Sequence, residues 1–417
     1  MINFEAHTKD ERQEMLNSIG LNSVEDLYKE LPKEIKTKGL NLPKALSEME
    51  AVNAIKKLAA NNKTHYSSFL GGGASRHFIP SAVEQIAARF EFNTAYTPYQ
   101  AEISQGTLQS IYEYQSMICN LTGLDVSNAS MYDAATACAE AILTAVRVTG
   151  RKKALVCHRV NPEYQKVIKT YAEAAEIEIS NDLSVIDKDT ACVLLQTPDY
   201  YGAIHDVEKL KEKITDDKTL LICCCDILPL SVLEPPKCDI MVGNLQPAGN
   251  HLSFGGPYGA YFACVDKYKR QIPGRIVGRT VDASGEQAFC LTLQTREQHI
   301  RREKATSNIC SNQALIALRT LVYLALMGPN GLRQAALMST NNAHKLAEKL
   351  TDKGFTLQSK NFFNEFVLNV NNADEFLSNL KENNILGGIK LDNTRILVSV
   401  TEMNTEEEIE NYAYFAI

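Results

Sequence analysis

The chain lacks an excess of positive charge: 43 lysines and arginines stand against 50 acidic residues, a formal net charge of -7. A general nucleic-acid binder carries a basic footprint, so that role is excluded for the chain as a whole, which leaves a local basic patch free to hold a phosphate or an acidic partner. No stretch approaches the roughly 18 consecutive apolar residues of a membrane span. The start, Met1-Ile2-Asn3-Phe4-Glu5, lacks the basic start and apolar run of a secretory signal. Eleven cysteines are present, but none is spaced in the CxxC pairs of zinc sites and dithiol motifs. The run Cys223-Cys224-Cys225 lies in an apolar stretch, so the thiols are expected to be reduced and mostly buried, in a cytoplasmic protein. The eight histidines form no ligand cluster with cysteines or carboxylates, and no metal is expected. What is there is a soluble globular chain of 417 residues, 45% hydrophobic, long enough for two or three domains with substantial cores.

Residues 1–65 are rich in charge and helix formers and contain no convincing strand, which predicts a helical arm with a capped start at Ser23. Leu108, Ile111, Tyr112, Met117, Ile118 and Leu121 keep a helical period. A small-residue helix is expected over 134–148. Short apolar runs at 154–157, 191–196, 220–225 and 240–242 then alternate with helical segments at 164–175 and 207–214. That alternation predicts a largely parallel sheet with helices on both faces, within a large domain spanning 66–327. A helix over 312–326 is closed by the breaker cluster Gly328-Pro329-Asn330-Gly331. Beyond it, helix at 332–350, strands at 366–369 and 395–400 and helix at 406–414 predict a small α/β domain, 328–417.

Five segments could carry chemistry. In Ser67 to His77 three successive glycines, Gly71-Gly72-Gly73, permit unusual backbone angles, and Arg76 and His77 beside them suggest an active-site rim as readily as a plain junction. The loop from Phe92 to Gly106 packs Tyr96, Tyr99, Gln100, Glu102 and Gln105 around Pro98, enough phenol and amide groups to meet a polar ligand, or to cap a core from a solvated connection. Asn128 to Ala137 leads into a helix whose free amides suit an anion, unless Asp133 fills the cap position itself. Asp226 closes a strand, where a carboxylate could pair with a pyridinium nitrogen or merely form a turn. Finally, 291–310 holds Arg296, Arg301, Arg302 and Lys304 with Thr306-Ser307-Asn308 close behind, a combination that can grip a phosphate or carboxylate or form an ordinary amphipathic face.

One further absence orders these segments. The stretch from Cys238 to Gly249, followed by Ser253-Phe254-Gly255-Gly256-Pro257-Tyr258-Gly259, looks like the lysine-bearing loop of a pyridoxal-phosphate enzyme, yet it holds no lysine; the nearest, Lys237 and Lys267, flank it. Together with Tyr96-Thr97-Pro98-Tyr99-Gln100, Asn128-Ala129-Ser130-Met131-Tyr132-Asp133 and Arg296 to Cys310, it closely resembles the α side of the two-subunit P-protein family, glycine dehydrogenase (decarboxylating), over nearly the whole chain. The resemblance implies an α/β fold-type I pyridoxal-phosphate transferase, with a mostly parallel seven-stranded sheet and a smaller C-terminal domain. It implies an α2β2 assembly whose β subunit carries the coenzyme lysine, its expected place here falling near Gln246-Pro247. The implied reaction decarboxylates glycine, passes its aminomethyl group to the lipoyl arm of H-protein and releases carbon dioxide. Because coenzymes of related dimers sit at subunit boundaries, Thr306, Ser307 and Asn308 are expected to reach the phosphate of the β-bound pyridoxal phosphate. Tyr96, Tyr99, Gln100 and Ser104 are expected to line the glycine or lipoyl side. The competing expectations are a scaffold that only stabilises β and docks H-protein, and an independent enzyme using another lysine.

Overall fold

The computed structural model describes residues 6–37, 39–306, 309 and 311–417, in two compact units, Met1–Thr64 and His65–Ile417. The first unit contains helices Lys9–Ser18 and Glu48–Ala59 and the tight turns Val24–Tyr28 and Lys33–Ile35. Thr8, Ser23 and Ser47 each cap the element that follows, in reciprocal boxes with Glu11, Asp26 and Glu50. These elements bury no side chain, so local capping rather than a core defines them. Met49, Val52, Ile55 and Leu58 form one exposed apolar stripe along Glu48–Ala59.

The second unit is built on a seven-stranded sheet in the spatial order Val126–Ser127, Ala260–Cys264, Ile240–Asn244, Leu220–Cys224, Thr190–Gln196, Lys153–Val156, Glu178–Ser180. The last five are parallel; Ala260–Cys264 runs antiparallel to its neighbours. Apolar runs of this length form central strands because helices cover both faces. The cysteine run shows the alternation: Leu221 and Cys223 pack into the core on one face, Leu220, Ile222 and Cys224 into the core on the other. Helix Gln105–Thr122 packs in the first core and Ala134–Thr149 in the second. Asp133 caps the latter, accepting the Thr136 N–H at 2.8 Å, so the protein's own carboxylate takes that anion position. Replacing Asp133 by alanine is expected to cost about 1 kcal/mol of stability, read from urea unfolding.

Two strands that the apolar runs did not reveal, Ile276–Val281 and Gln287–Thr292, form an antiparallel hairpin outside the main sheet. It is tied to helix Gln105–Thr122 by Gln115, which exchanges two hydrogen bonds of 2.9 Å with the Val277 backbone. Helix Ala314–Asp352 follows, broken at Gly328 (φ 58°, ψ −176°) where the expected domain junction lies. By length and composition it could cross a membrane, yet it carries Arg319 and Arg333 and buries Leu321, Tyr323, Leu332, Leu346 and Leu350 within the protein, as a core helix does. A four-stranded antiparallel sheet, Thr356–Leu357, Glu365–Asn369, Arg395–Ser399, Ile389–Lys390, then packs Phe366, Leu368, Ile396 and Val398 against helices Ala373–Glu382 and Glu406–Phe415.

Candidate functional site

The place where the strand-end lysine of a pyridoxal-phosphate enzyme is expected is occupied by Gln246, buried to 2% exposure. Its amide is fully engaged: Oε1 accepts the Ser75 N–H at 3.2 Å, and Nε2 donates to the carbonyls of Ser75 at 2.9 Å and Asn250 at 3.0 Å. Asn244, two residues earlier, donates to the Gly73 carbonyl at 3.0 Å and the Tyr164 hydroxyl at 2.8 Å. From across the cleft Glu365 accepts the Gly72 N–H at 2.8 Å, and Asn161 donates to the Gly72 carbonyl at 3.0 Å. The triple glycine is therefore a plug and not an open rim. A Cβ on Gly71 would lie 1.9 Å from Glu365 Oε1, and Gly73 adopts φ +114°, which side chains rarely tolerate.

Asp226 does not wait for a ring nitrogen; its carboxylate accepts the Asn244 N–H at 3.1 Å. Asp226, Glu365, His77 and Gln246 surround a remaining void of about 40 Å³, against roughly 300 Å³ and upwards for small-ligand sites. Asp226 and Glu365 keep some accessible surface, and both line this void, which has room for only a few waters. Burial accordingly lifts Asp226 to about 6 against the pull of the Asn244 N–H, and Glu365 to about 7, helped by the charge of Asp226. His77 is paired with Glu402 at 3.0 Å and with Ser75 Oγ at 2.9 Å. These residues do not fit the coenzyme: no amine is offered, and protein backbone fills the space.

The chemistry-bearing groups that face outward lie elsewhere. Tyr96 is 80% exposed and lines a cavity of about 420 Å³ between the 92–96 loop, helix Gln105–Thr122 (Thr107, Ser110, Tyr114) and the first turn of Ala314–Asp352. The wall is largely apolar, and the buried Tyr114 hydroxyl has no hydrogen-bond partner among the described residues. Tyr99 is half exposed; its ring lies 4.9 Å from that of His299 and 5.5 Å from the Arg275 guanidinium. Gln100 is exposed and precedes the turn Ala101–Ile103. Ser104 is buried, and its carbonyl accepts the Leu108 N–H that opens the following helix.

Thr306 is half-buried, its N–H donating to the Arg296 carbonyl at 3.0 Å. Ser307 and Asn308 lie outside the described residues. The basic segment is not one amphipathic helix but two tight turns around the four-residue helix Gln298–Arg301. Arg296 is not an anion ligand either: it is buried and donates to the carbonyls of Leu293, Ile272 and Gly274. Among the described residues no cluster of metal-ligating side chains occurs. Arg275 and Glu365 escaped the sequence reading; only the Pro273-Gly274 turn before Arg275 marked a place where backbone is fixed near the basic segment.

Comparison with known proteins bears on these surfaces together. A solved structure of glycine decarboxylase (P-protein) of the glycine cleavage system, in inhibitor-bound form, superposes with a TM-score of 0.93 at 40% identity, covering 100% of this chain and 99% of that one. The protein called "Probable glycine dehydrogenase (decarboxylating) subunit 1" in Carboxydothermus hydrogenoformans is 48% identical, over 97% of each chain. A sphingosine-1-phosphate lyase of Burkholderia pseudomallei, at 12% identity and a TM-score of 0.65 over 92% of each chain, shares the fold alone. The architecture is thus that of fold-type I pyridoxal-phosphate enzymes. A family model of the glycine cleavage system P-protein matches residues 3–415; with its seven-stranded sheet and its tyrosine-bearing surface, the chain belongs to that family.

Proposed function

We propose that this chain is the α subunit of a two-subunit glycine dehydrogenase (decarboxylating), acting in the cytoplasm in an α2β2 assembly with a β subunit that holds pyridoxal phosphate covalently. One observation carries the reading: the coenzyme cleft is closed by Gln246 and the Gly71–Gly73 plug, while Tyr96 and Tyr99 are left exposed. A subunit that cannot hold the coenzyme but keeps the fold contributes by what it presents to a neighbour. The relatives named as "subunit 1" support a second subunit.

The partner's pyridoxal phosphate supplies an electron sink when glycine loses carbon dioxide. The residues of this chain surround that chemistry. Tyr96, Tyr99, Gln100 and Ser104 line the glycine or lipoyl side, and Thr306, Ser307 and Asn308 approach the phosphate. The 420 Å³ cavity beside Tyr96, mostly apolar, suits the alkyl arm of lipoylated H-protein. The exposed stripe of Met49, Val52, Ile55 and Leu58 supplies apolar surface for the β subunit to cover.

The reading is tested by exchange of the glycine carboxyl with bicarbonate, using this chain, the β subunit, and both mixed with H-protein and pyridoxal phosphate. Exchange is expected only in the mixture. Exchange by this chain alone would overturn the proposal. If the chain only stabilises β and docks H-protein, Tyr96→Phe will change H-protein affinity and leave the exchange rate of the saturated complex intact.

A further inference from the structure

Arg275 is a buried cation beside an exposed phenol. Its side chain retains 6% exposure, and Glu297 facing it retains 10%, with Arg275 Nε 3.5 Å from Glu297 Oε2. Arg275 Nη2 donates to the Tyr99 hydroxyl oxygen at 3.3 Å, and the guanidinium lies 5.5 Å from the centre of the same ring. The imidazole of His299 contacts that ring at 4.9 Å, inclined at 59°, and its Nδ1 is 3.7 Å from the same Glu297 oxygen. The backbone beneath is fixed: the Arg275 carbonyl accepts the Ala129 N–H at 2.8 Å, and the next two residues enter the hairpin held by Gln115.

Desolvating a guanidinium and a carboxylate is costly unless their geometry is used, and a pair serving only to join two segments has no need to end on a phenol. Burial raises the Glu297 pKa while Arg275 and His299 hold it down. The carboxylate thus braces both groups that flank Tyr99. A tyrosine half exposed on a loop has a wide choice of rotamers; here one contact on its oxygen and two on its ring select among them.

We propose that Arg275, braced by Glu297, is a positioning residue for the reaction. It fixes the Tyr99 hydroxyl and ring in the orientation in which they meet the substrate at the partner's coenzyme, and His299 limits the ring from its other contact. The inference rests on the assignment of Tyr99 to the glycine or lipoyl side of the shared site. Preorganising a group that touches substrate lowers the orientation cost of the reaction, so the effect falls on kcat more than on glycine KM.

The test is a double-mutant cycle in the reconstituted complex, with exchange kcat, glycine KM and complex assembly measured for each variant. Tyr99→Phe and Arg275→Met are each expected to lower kcat by about tenfold, the loss of one oriented hydrogen bond, with assembly retained. The double variant should be no slower than the worse single variant, and Arg275→Lys, which keeps a donor and the charge, should recover part of the rate. Multiplying losses in the double variant would overturn the proposal, because Arg275 would then act independently of Tyr99. Full activity of Tyr99→Phe would overturn the assignment of Tyr99 itself, and the proposal with it. If Arg275→Met does not assemble, the same cycle with the near-isosteric Glu297→Gln decides: a kcat loss that vanishes in the Tyr99→Phe background supports positioning, and a loss that persists refutes it.

Discussion

Replacing Gln246 by alanine is expected to lower the unfolding free energy of the chain by about 3 kcal/mol, because three hydrogen bonds of a buried amide are lost at once. The larger share of that cost comes from the partners left behind. Asn250 is buried and Ser75 is half-buried beside a void of about 40 Å³, and an unsatisfied buried backbone group is penalised more than an average hydrogen bond gains. Urea unfolding measures the change; a loss below about 1 kcal/mol would mean that the plug is not held as described. A lysine placed at 246 is not expected to restore coenzyme chemistry. Gln246→Lys supplies an amine but no room, since Asn244, Asn161 and Glu365 still hold Gly72 and Gly73 in the cleft. The variant is expected to show no visible absorbance of bound coenzyme after incubation with pyridoxal phosphate. A bound coenzyme would show that the plug opens more readily than its hydrogen bonds imply.

The second large effect is on pH dependence. Asp226 and Glu365 titrate at about 6 and about 7 in the folded chain, whereas unfolded carboxyls titrate near 4. A carboxyl with a raised folded pKa binds its proton more tightly when folded. Its contribution is therefore most favourable below about pH 4, declines as pH rises from about 4 to about 7, and is constant above that. Asp226→Asn removes the ionisation while Oδ1 can still accept the Asn244 N–H. It is expected to raise stability at pH 8 by about 2 kcal/mol relative to the unsubstituted chain and to make little difference at pH 4. Glu365→Gln should act in the same direction. The pair will gain less than the sum, because the Asp226 charge is one cause of the Glu365 shift. Denaturation midpoints at pH 4, 6 and 8 provide the check, and parallel profiles for variant and unsubstituted chain would refute the burial of these carboxyls.

Four of the five parallel strands were legible because each is a compact apolar run, and the cysteine run was read as buried for the same reason; the fifth, Glu178–Ser180, has a single apolar residue and was not read. Asp133 was legible as a cap because capping is decided within four residues. The missing lysine was legible only against the loop's resemblance. What escaped is set by distant partners. The Ile276–Val281 and Gln287–Thr292 strands bury just Val277, Phe289 and Leu291 beyond the buried start at Ile276, and leave residues such as Arg279 and Thr280 exposed; the one apolar run there, Ala288 to Leu291, has no apolar partner run in Ile276–Val281 to mark a hairpin. Glu365 meets Gly72 across 293 residues, and nothing around either reveals the other. Of the expected site, the tyrosine loop is where phenols could be offered outward. Arg296, by contrast, has the composition of an anion ligand and the role of a strut, a distinction that depends on the carbonyls of Ile272 and Gly274.

The closed cleft also separates two kinds of genetic lesion. A substitution at Gln246 or Gly71 touches no reacting atom, so in a cell it should act through the amount of protein: a few kcal/mol multiplies the unfolded fraction available to proteases. Such alleles should be temperature-sensitive and relieved by stabilising changes elsewhere in the chain. With Tyr99 in its proposed role, a substitution there should leave abundance intact, and no gain in folding stability should repair it. The cleft's residues thus matter for the amount of protein through their packing.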